Sequence, residues 1–365
     1  MAAVSPLVGA DGVLQVTVFS NGTALPESAL LIRLEVTQAV NRIAAARLEF
    51  VDGDMSEGKF PLSDGDHLKP GAAIRIDAGY EGDDAEDAQC LFDGIVVGHG
   101  LRISDGNSAR LVVECRDRAA MMAAGRISTR HADKTDSEII RGILSAYPLH
   151  VGGVEDTFIR HDELLQHDRS NWDFIVARAE ANGLLVLAGD GTVDVKSPMA
   201  CIEAPPTLGV TWGMDLIAFD ATLDARTQYA SVQAISWDAS TQAQHLTGEQ
   251  AAPIDLLAQG NVGAAELAKV LKLPAYRLYT ADRRTEAELT RWAEALQRRS
   301  ALARIRGHVS FQGSAKAVPG CTIELASVGD RFSGNAFVGG VTHRIGDGNW
   351  LTEVTLGLAP WWSAE

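Results

Sequence analysis

The sequence predicts a mostly β protein of the α+β class, built from two antiparallel, tube-like β-barrel domains related by internal duplication, with an inserted small α+β unit and helices. Two hairpin-like stretches carry this prediction. Residues 332–358 alternate apolar and polar side chains around an Asp-Gly turn at 347–348, and residues 92–115 do so around another at 105–106. Asp-Gly between alternating runs is a strong hairpin signal, because glycine takes the positive-φ position without steric cost.

The two stretches also resemble each other. Phe92-x-Gly94 matches Phe332-x-Gly334, and both stretches continue with Ile-x-Asp-Gly-Asn once a two-residue gap is allowed. Repetition in the same order and at similar spacing favours an internal duplication. The alternative is two unrelated hairpins that use the same favourable turn.

The first β-barrel domain is predicted to span residues 1–118. Its alternating runs have half-polar faces, as the strands of a barrel or sandwich do, and they lie at 14–18, 30–36, 44–50 and 74–80 before the hairpin. Residues 119–204 form the small α+β domain, because apolar residues there recur at helical spacing after capping boxes that begin at Thr135 and Ser170. A small hairpin is predicted around residues 189–191.

The second β-barrel domain is predicted to span residues 205–365, with a helical insertion at about 241–305. Pro205-Pro206 marks its start. Strands are expected at 216–223 and 229–237, and a helix that begins at the Thr285 capping box should end near Arg304. Strands at 307–312 and 322–325 then lead into the last hairpin.

Composition excludes several classes of function. Hydrophobic residues make up 46% of the chain and charged residues 22%, which is ordinary for a soluble globular protein. No apolar run approaches the ~18–20 residues of a membrane span. The net charge of −16 argues against a nucleic-acid-binding surface. Because the N-terminus lacks a basic region and an apolar core, we expect no signal peptide and assembly in the cytoplasm.

No metal or cofactor is predicted. Cys90, Cys115, Cys201 and Cys321 are far apart in the sequence, which excludes a zinc cluster, and the first, second and fourth read as small buried apolar residues. Asp52-x-Asp54-x-Ser56 resembles the start of a calcium loop. An EF-hand needs glycine at its sixth position and glutamate at its twelfth, where this chain has Glu57 and Ser63, so calcium is rejected.

No catalytic residue is predicted either, and we expect no enzymatic activity. The nucleophile, zinc-protease and phosphate-loop motifs are absent from the sequence. His161 and His167 are interpreted as members of a solvated polar loop before a capped helix. His343 lies in a predicted strand, where it would be either a satisfied barrel residue or a hydrogen-bond donor between subunits.

The segment LQHDRSNWDFI at 165–175, followed by AEANGL at 179–184, resembles a signature of contractile-tail hub proteins. These are the late-control D proteins of phage tails and the N-terminal hub part of valine-glycine repeat spike proteins in type VI and extracellular contractile injection systems. Gly329-x-Arg331-Phe332-x-Gly334 and Val341-x-His343 are similar too. The likeness covers about residues 90–358, and its motifs are packing motifs.

The resemblance implies a homotrimer. Two barrels in each of three chains would make a pseudo-sixfold ring that joins a sixfold inner tube to a threefold spike. Further copies of the chain, inner-tube proteins, a spike or needle protein and baseplate proteins are the expected partners, and the baseplate of a phage tail or injection particle is the expected location. We also expect acidic side chains to face the central passage. Many spike members continue into a needle that this chain lacks, so the needle would be a separate or missing segment.

Pro360, Trp361 and Trp362 are the predicted partner-docking residues. Two adjacent tryptophans near a chain end present a large apolar surface, and each can bury about 150–250 Å². They would either dock the spike or fold back onto their own barrel. The alternative function for the whole chain is a non-catalytic β-rich binding module, such as a carbohydrate-binding or adhesin-like domain. The long loops at 52–70 and 81–90 contain only one aromatic residue, Phe60, which argues against that alternative.

Overall fold

A computed structural model describes residues 3–8, 10, 12–54, 56–81, 88–104, 108–238, 241–246, 251–272, 275–281 and 283–359. Its strands are β1 (Leu14–Ser20), β2 (Thr23–Ala24), β3 (Leu31–Ala39), β4 (Ala45–Asp52), β5 (Ala73–Tyr80), β6 (Gln89–Ser104), β7 (Ser108–Arg116), β8 (Ile127–Thr135), β9 (His150–Val154), β10 (Arg160–Arg169), β11 (Leu185–Gly189), β12 (Thr192–Lys196), β13 (Gly209–Thr211), β14 (Leu216–Leu223), β15 (Val232–Asp238), β16 (Ala243–Leu246), β17 (Tyr276–Thr280), β18 (Ile305–Gln312), β19 (Thr322–Ala326), β20 (Gly334–Gly346) and β21 (Asn349–Leu356). The α-helices are α1 (Asp136–Leu144), α2 (Asn171–Ala181), α3 (Met199–Ile202), α4 (Ala264–Leu267) and α5 (Glu286–Leu302).

Thirteen of these strands form one large sheet, which confirms the mostly β prediction. Its main path runs β14-β18-β21-β20-β3-β4-β7-β6-β5-β1-β2, and β19 and β13 branch from the first part of β20. All pairs in it are antiparallel except β13 with β19. The strand sets of the two predicted barrels are both present, and they are hydrogen-bonded to each other through β20 and β3.

The two halves of the sheet share one strand order. The count leaves out the two-residue strand β2 in the first half and the strands β15, β16 and β17 in the second, which form a separate sheet. On that count the second, third, sixth, fifth, fourth and first strands of each half are neighbours, as β3-β4-β7-β6-β5-β1 and as β14-β18-β21-β20-β19-β13. The halves differ in one respect, since β1 is antiparallel to β5 whereas β13 is parallel to β19. This shared order is what a duplication requires, and the duplication itself stays a prediction.

Irregularities in strand pairing fall at matching places in the two halves. The register shifts between Leu31 and Arg33 where β3 meets β4, and between Leu216 and Ala218 where β14 meets β18. A second shift separates the residues Val96 and Gly98 in the first hairpin, and another separates Val338 and Gly340 in the last hairpin. These shifts define equivalent positions along the two halves.

One sequence match was wrong. In each hairpin the register shift lies at the same number of residues before the Asp-Gly turn, at Gly98 in the first and at Gly340 in the last. The two incoming strands therefore align without the two-residue gap. Phe92 is a buried strand residue, whereas Phe332 lies in a turn before β20, so the two phenylalanines are not equivalent. The turn at residues 105–107 lies outside the described part of the chain.

Each half of the sheet has its own apolar core. The first contains Phe50, Phe92, Leu34 and their neighbours, and it also takes in Ile345 and Trp350 from the last hairpin. The second is centred on Phe311, Val309 and Val354. Because the last hairpin contributes to both cores, the two halves are packed together as well as hydrogen-bonded.

The middle of the chain packs α1 and α2 against the small sheet β11-β12-β9. Thr135 forms the predicted capping box with Glu138, and Thr285 forms one with Glu288 at the start of α5. The Ser170 hydroxyl accepts a hydrogen bond from the Asp173 backbone N–H, which caps α2. Helix α5 packs on the three-stranded sheet β16-β15-β17. Among the described residues no helix is long and apolar enough to cross a membrane.

Candidate assembly surface

Strand β20 changes its neighbour halfway along its length. Residues Gly334 to Phe337 pair with β19, whereas Gly340 to Gly346 pair with Ala39 to Arg33 of β3. The second stretch is the seam between the two halves of the sheet, and we call it the internal joint. It brings together strands that are about 300 residues apart in sequence.

Glycines permit the close approach at the internal joint. A Cβ atom on Gly339 would lie 2.0 Å from the carbonyl oxygen of Gly357, and one on Gly340 would lie 3.1 Å from Ala39 Cβ. The Val40 backbone N–H donates to the Gly339 carbonyl at 2.9 Å, which continues the pairing past the bulge. A side chain at 340 would therefore crowd β3 and push the two halves apart, whereas one at 339 would collide with the chain that follows β21 in the same half.

The two faces of the internal joint have different chemistry. Val341, His343 and Ile345 point into the cores and are buried. Arg344 lies on the opposite face, where it forms ion pairs with Glu35 of β3 at 3.4 Å and with Glu353 of β21 at 3.2 Å. The joint thus combines a backbone ladder, a buried apolar side and a cross-strand ion pair.

His343 is a satisfied core residue, the first of the two predicted possibilities. Its Nδ1 lies 3.0 Å from Thr352 Oγ1 and 3.3 Å from Trp350 Nε1. Burial lowers the pKa of His343 to about 4, so the ring is neutral at physiological pH. A buried neutral histidine whose hydrogen-bond partners lie inside its own subunit serves packing.

Two of the open strand edges in the described part of the chain belong to the large sheet and lie at the ends of the run of strands from β14 to β6. β14 ends the sheet path and pairs only with β18. Main-chain pairing on the β5 side of β6 reaches Val96, so within the described part residues 98–103 of β6 have only β7 as a neighbouring strand. Apolar side chains are exposed on both edges: Leu101 is 39% exposed, Ile103 66% and Ile217 61%. Unpaired edges with exposed apolar residues can pair with another chain.

A buried charged cluster connects the middle unit to α5. Asp136 accepts hydrogen bonds from Arg178 at 2.6 and 2.9 Å and from Asn182 at 2.8 Å. His161 lies 3.2 Å from Asp136 on one side of its ring and 3.2 Å from Glu288 on the other. The hydrogen bond with Asp136, followed by that with Glu288, raises the pKa of His161 to about 9, so the ring is protonated near neutral pH.

This cluster corrects the prediction of a solvated loop at His161 and His167. Both residues lie in β10, which pairs with β8 in a two-stranded ribbon; the His161 side chain is buried, whereas His167 is exposed as predicted. Sequence reasoning missed the ribbon because its residues are polar on both faces and show no apolar alternation. The cluster borders an open cleft, but its carboxylates are held in hydrogen bonds with cations, as in a structural ion network.

The other sequence candidates have structural roles or lie beyond the described residues. Asp54 accepts hydrogen bonds from Ser56, and Asp52 accepts them from the backbone N–H groups of Leu62 and Ser63, so both carboxylates order their own loop. Within the described part, no three or more His, Cys, Asp or Glu residues form a group that could hold a metal ion. Pro360, Trp361 and Trp362 lie outside the described residues.

The cysteines depart partly from expectation. Cys115 is buried in the first core, as predicted. Cys90 and Cys321 are only half-buried, because each sits near a boundary between packing units instead of inside one. Burial is also the main cause that raises the pKa of Cys90 to about 12 and that of Cys321 to about 11. Such thiols are poor nucleophiles at neutral pH.

Comparison with known proteins agrees with this architecture. The model of the family described as Alg8 N-terminal domain matches residues 10–347. Curated proteins give no match to the sequence. Among solved structures, the chain is similar to the 43 kDa tail protein of prophage MuSo2 from Shewanella oneidensis, with 11% identity over 95% of this chain and 98% of that chain and a TM-score of 0.69.

Two further structures have related folds. A tail protein from Neisseria meningitidis MC58 has 14% identity over 96% of this chain and 98% of that chain, with a TM-score of 0.66. The E. coli c3393 protein, a component of the type VI secretion system, has 13% identity over 94% of this chain and 77% of that chain, with a TM-score of 0.53. The chain therefore has the contractile-tail hub-like fold that its sequence motifs predicted.

Proposed function

We propose that this chain, which belongs to the Alg8 N-terminal domain family, is the non-catalytic hub of a contractile injection machine or phage tail. The observation that carries the proposal is the repeated strand order of the two halves, joined edge to edge at the internal joint. Each chain thereby contributes two similar segments to a ring. The fold shared with tail proteins and with a type VI secretion component supports a structural role in a tail or baseplate.

In the proposed assembly the chain is a homotrimer. Six similar segments from three chains give pseudo-sixfold symmetry on one side, where a sixfold inner tube can bind, while the true threefold symmetry suits a spike. The predicted units 1–118, 119–204 and 205–365 fit this role: the first and third form the ring, and the middle unit extends from it. Baseplate proteins are the remaining proposed partners.

The passage through the ring would be lined by the sheet face opposite the cores. On that face Arg47 lies 3.0 Å from Glu114 and 3.7 Å from Glu49, and Arg110 lies 3.9 Å from Glu49. Carboxylates on this face therefore alternate with arginines. The excess of negative charge in the chain as a whole would still disfavour retention of anionic cargo.

The test is the mass of the purified protein by light scattering, followed by electron microscopy of assembled particles. We expect a trimer in solution or in the particle, positioned between tube and spike. A stable monomer at micromolar concentration, together with no trimer in the particle, would refute the proposal.

We further propose that Pro360, Trp361 and Trp362 dock the spike. In the double variant Trp361→Ala with Trp362→Ala, the trimer should persist while the particle loses its spike. Unchanged retention of the spike, or unfolding of the subunit, would assign the tryptophans to their own core.

A further inference from the structure

We propose that neighbouring subunits are joined by main-chain pairing between residues 98–103 of β6 in one chain and β14 of the next. This inference rests on the proposed trimeric hub and names the surface that builds it. Its basis is that the internal joint is already one copy of the required contact. β20 and β3 form that joint. The open edge of β6 is the equivalent of β20 in the other half, and the open edge of β14 is the equivalent of β3.

The equivalence follows from strand order and register. β20 is the fifth strand of its half and β6 is the fifth strand of the other, and both bulge at the same place in their hairpins. β3 and β14 are the second strands, and both shift register at the same place against the third. The internal joint uses the second part of β20 and β3, so its repeat would use the second part of β6 and β14.

A single chain leaves both edges open. Along the sheet path, β14 and β6 are the first and last of eight consecutive strands. Neighbouring strands are about 4.8 Å apart, so the two edges are separated by roughly 30 Å along the sheet. Three copies of this eight-strand run, joined end to end, would close a ring in which no edge remains.

The internal joint also predicts the register. It places Ile345 opposite Leu34, Arg344 opposite Glu35 and His343 opposite Val36. The equivalent residues in the proposed contact are Ile103 opposite Phe219, Arg102 opposite Asp220, and Leu101 opposite Ala221, in an antiparallel pair. A shift by one residue would turn the apolar side chains to the wrong face.

The charges support this register. Arg344 pairs with Glu35 across the internal joint. The equivalent positions hold Arg102 on β6 and Asp220 on β14, so each equivalent strand carries a charge of the same sign. Both are exposed, and within the described residues neither forms an ion pair. Arg102 lies opposite Arg110 on β7, so a carboxylate from a neighbouring chain would relieve repulsion between like charges.

The apolar side chains fit as well. Leu101 and Ile103 occupy the positions of His343 and Ile345, which are buried at the internal joint, yet both are exposed in the single chain. Pairing with β14 would place them beside Phe219 and Ala221. Gly98 occupies the position of Gly340, where the internal joint leaves little room for a side chain.

The first experiment exchanges the charges. Arg102→Glu and Asp220→Arg should each weaken the trimer about tenfold or more, measured as the midpoint of dissociation on dilution, and the double variant should regain most of the loss. Arg277→Glu, a reversal at an exposed position on β17 outside the large sheet, is the matched control and should leave the trimer unchanged. Failure of the double variant to recover would contradict the predicted pairing of Arg102 with Asp220.

The second experiment tests the register with cysteines. Gly100 and Thr222 are equivalent to Thr342 and Thr37, which face each other at the internal joint. The variant Gly100→Cys with Thr222→Cys should form covalent dimers and trimers on mild oxidation. Gly100→Cys with Ala218→Cys, which is four residues out of register and keeps Asp220, should not form them, and each single cysteine serves as a further control.

The outcomes separate this inference from the proposed function. Covalent trimers that form with Gly100→Cys and Thr222→Cys, and not with the shifted pair, support both the strand contact and the proposed hub. A trimer by mass that shows no cross-link, or cross-links equally in the shifted pair, overturns the strand contact while the hub stands. A monomer in solution and in the particle overturns both.

Discussion

Asp136 should be the most sensitive single residue in the buried charged cluster. Its carboxylate is almost fully buried and accepts three hydrogen bonds from Arg178 and Asn182, with His161 3.2 Å away. Burial alone would raise the pKa of Asp136, but the hydrogen bonds from His161 and Arg178 outweigh it, and the pKa lies below the usual range. The carboxylate is therefore charged at neutral pH.

Replacement by alanine would leave the Arg178 guanidinium, 8% exposed, without its counter-charge. Removing one partner of a buried ion pair leaves the other charge buried without compensation, and this typically lowers the free energy of unfolding by about 3–5 kcal/mol. We expect Asp136→Ala to show a loss of this size, measured as a shift in the urea midpoint of the transition that reports on the middle unit, followed by tryptophan fluorescence.

Asp156→Ala is the matched control. Asp156 also pairs with an arginine, Arg141, at 2.6 Å, but its side chain is 68% exposed. Solvent screens such a pair, so the same substitution should change stability by only about 0–1 kcal/mol. If Asp136→Ala proves no more destabilising than Asp156→Ala, the cluster does not stabilise the fold as argued. The double variant Asp136→Leu with Arg178→Met should recover part of the loss, because it removes both charges.

Two further predictions concern pH and backbone packing. The pKa of His161 is raised from 6.5 to about 9, so its contribution is complete below pH 6.5 and is lost as pH rises through about 9. At about 1.4 kcal/mol per pH unit, stability should fall by at most ~3.5 kcal/mol over that window, and a His161→Gln variant that keeps the same pH slope would contradict this. Gly94→Ala should destabilise the first half of the sheet by about 1–3 kcal/mol, because the new Cβ would lie 2.3 Å from the Arg116 carbonyl oxygen. Gly125→Ala, where no atom lies within 4 Å, is its control, and equal effects of the two substitutions on the urea midpoint would refute the packing argument.

The sequence by itself determined most of the local structure. The capping boxes at Thr135 and Thr285 form as predicted, because their hydrogen bonds join residues only three apart. The hairpin β20–β21 follows from the alternation of its two strands and the Asp-Gly turn between them. The motifs at 165–175 and 179–184, which span β10 and α2, also indicated the fold. Their apolar residues Trp172, Ile175 and Ala179 pack in the core of the middle unit.

Only the tertiary structure decided which strands meet across long separations. The ribbon of β8 and β10 has no apolar period, and its main-chain pairing and the contacts of His131 and Arg130 support it. Burial of His161 depends on Asp136 and Glu288, which come from two separate helices. Sequence spacing cannot reveal such convergence, because it arises from packing between elements.

The internal joint is the clearest case. Alternation predicts that β3 and β20 are strands, but not that Arg344 meets Glu35 across a sequence gap of about 300 residues. Strands pair through main-chain N–H and C=O groups, which are the same whatever the side chains are, so these hydrogen bonds do not select a partner. The register, the bulges and the shared cores decide which strands pair. The same physics leaves one edge of β14 and one edge of residues 98–103 of β6 without a neighbouring strand among the described residues, although their alternation resembles that of the strands that do pair.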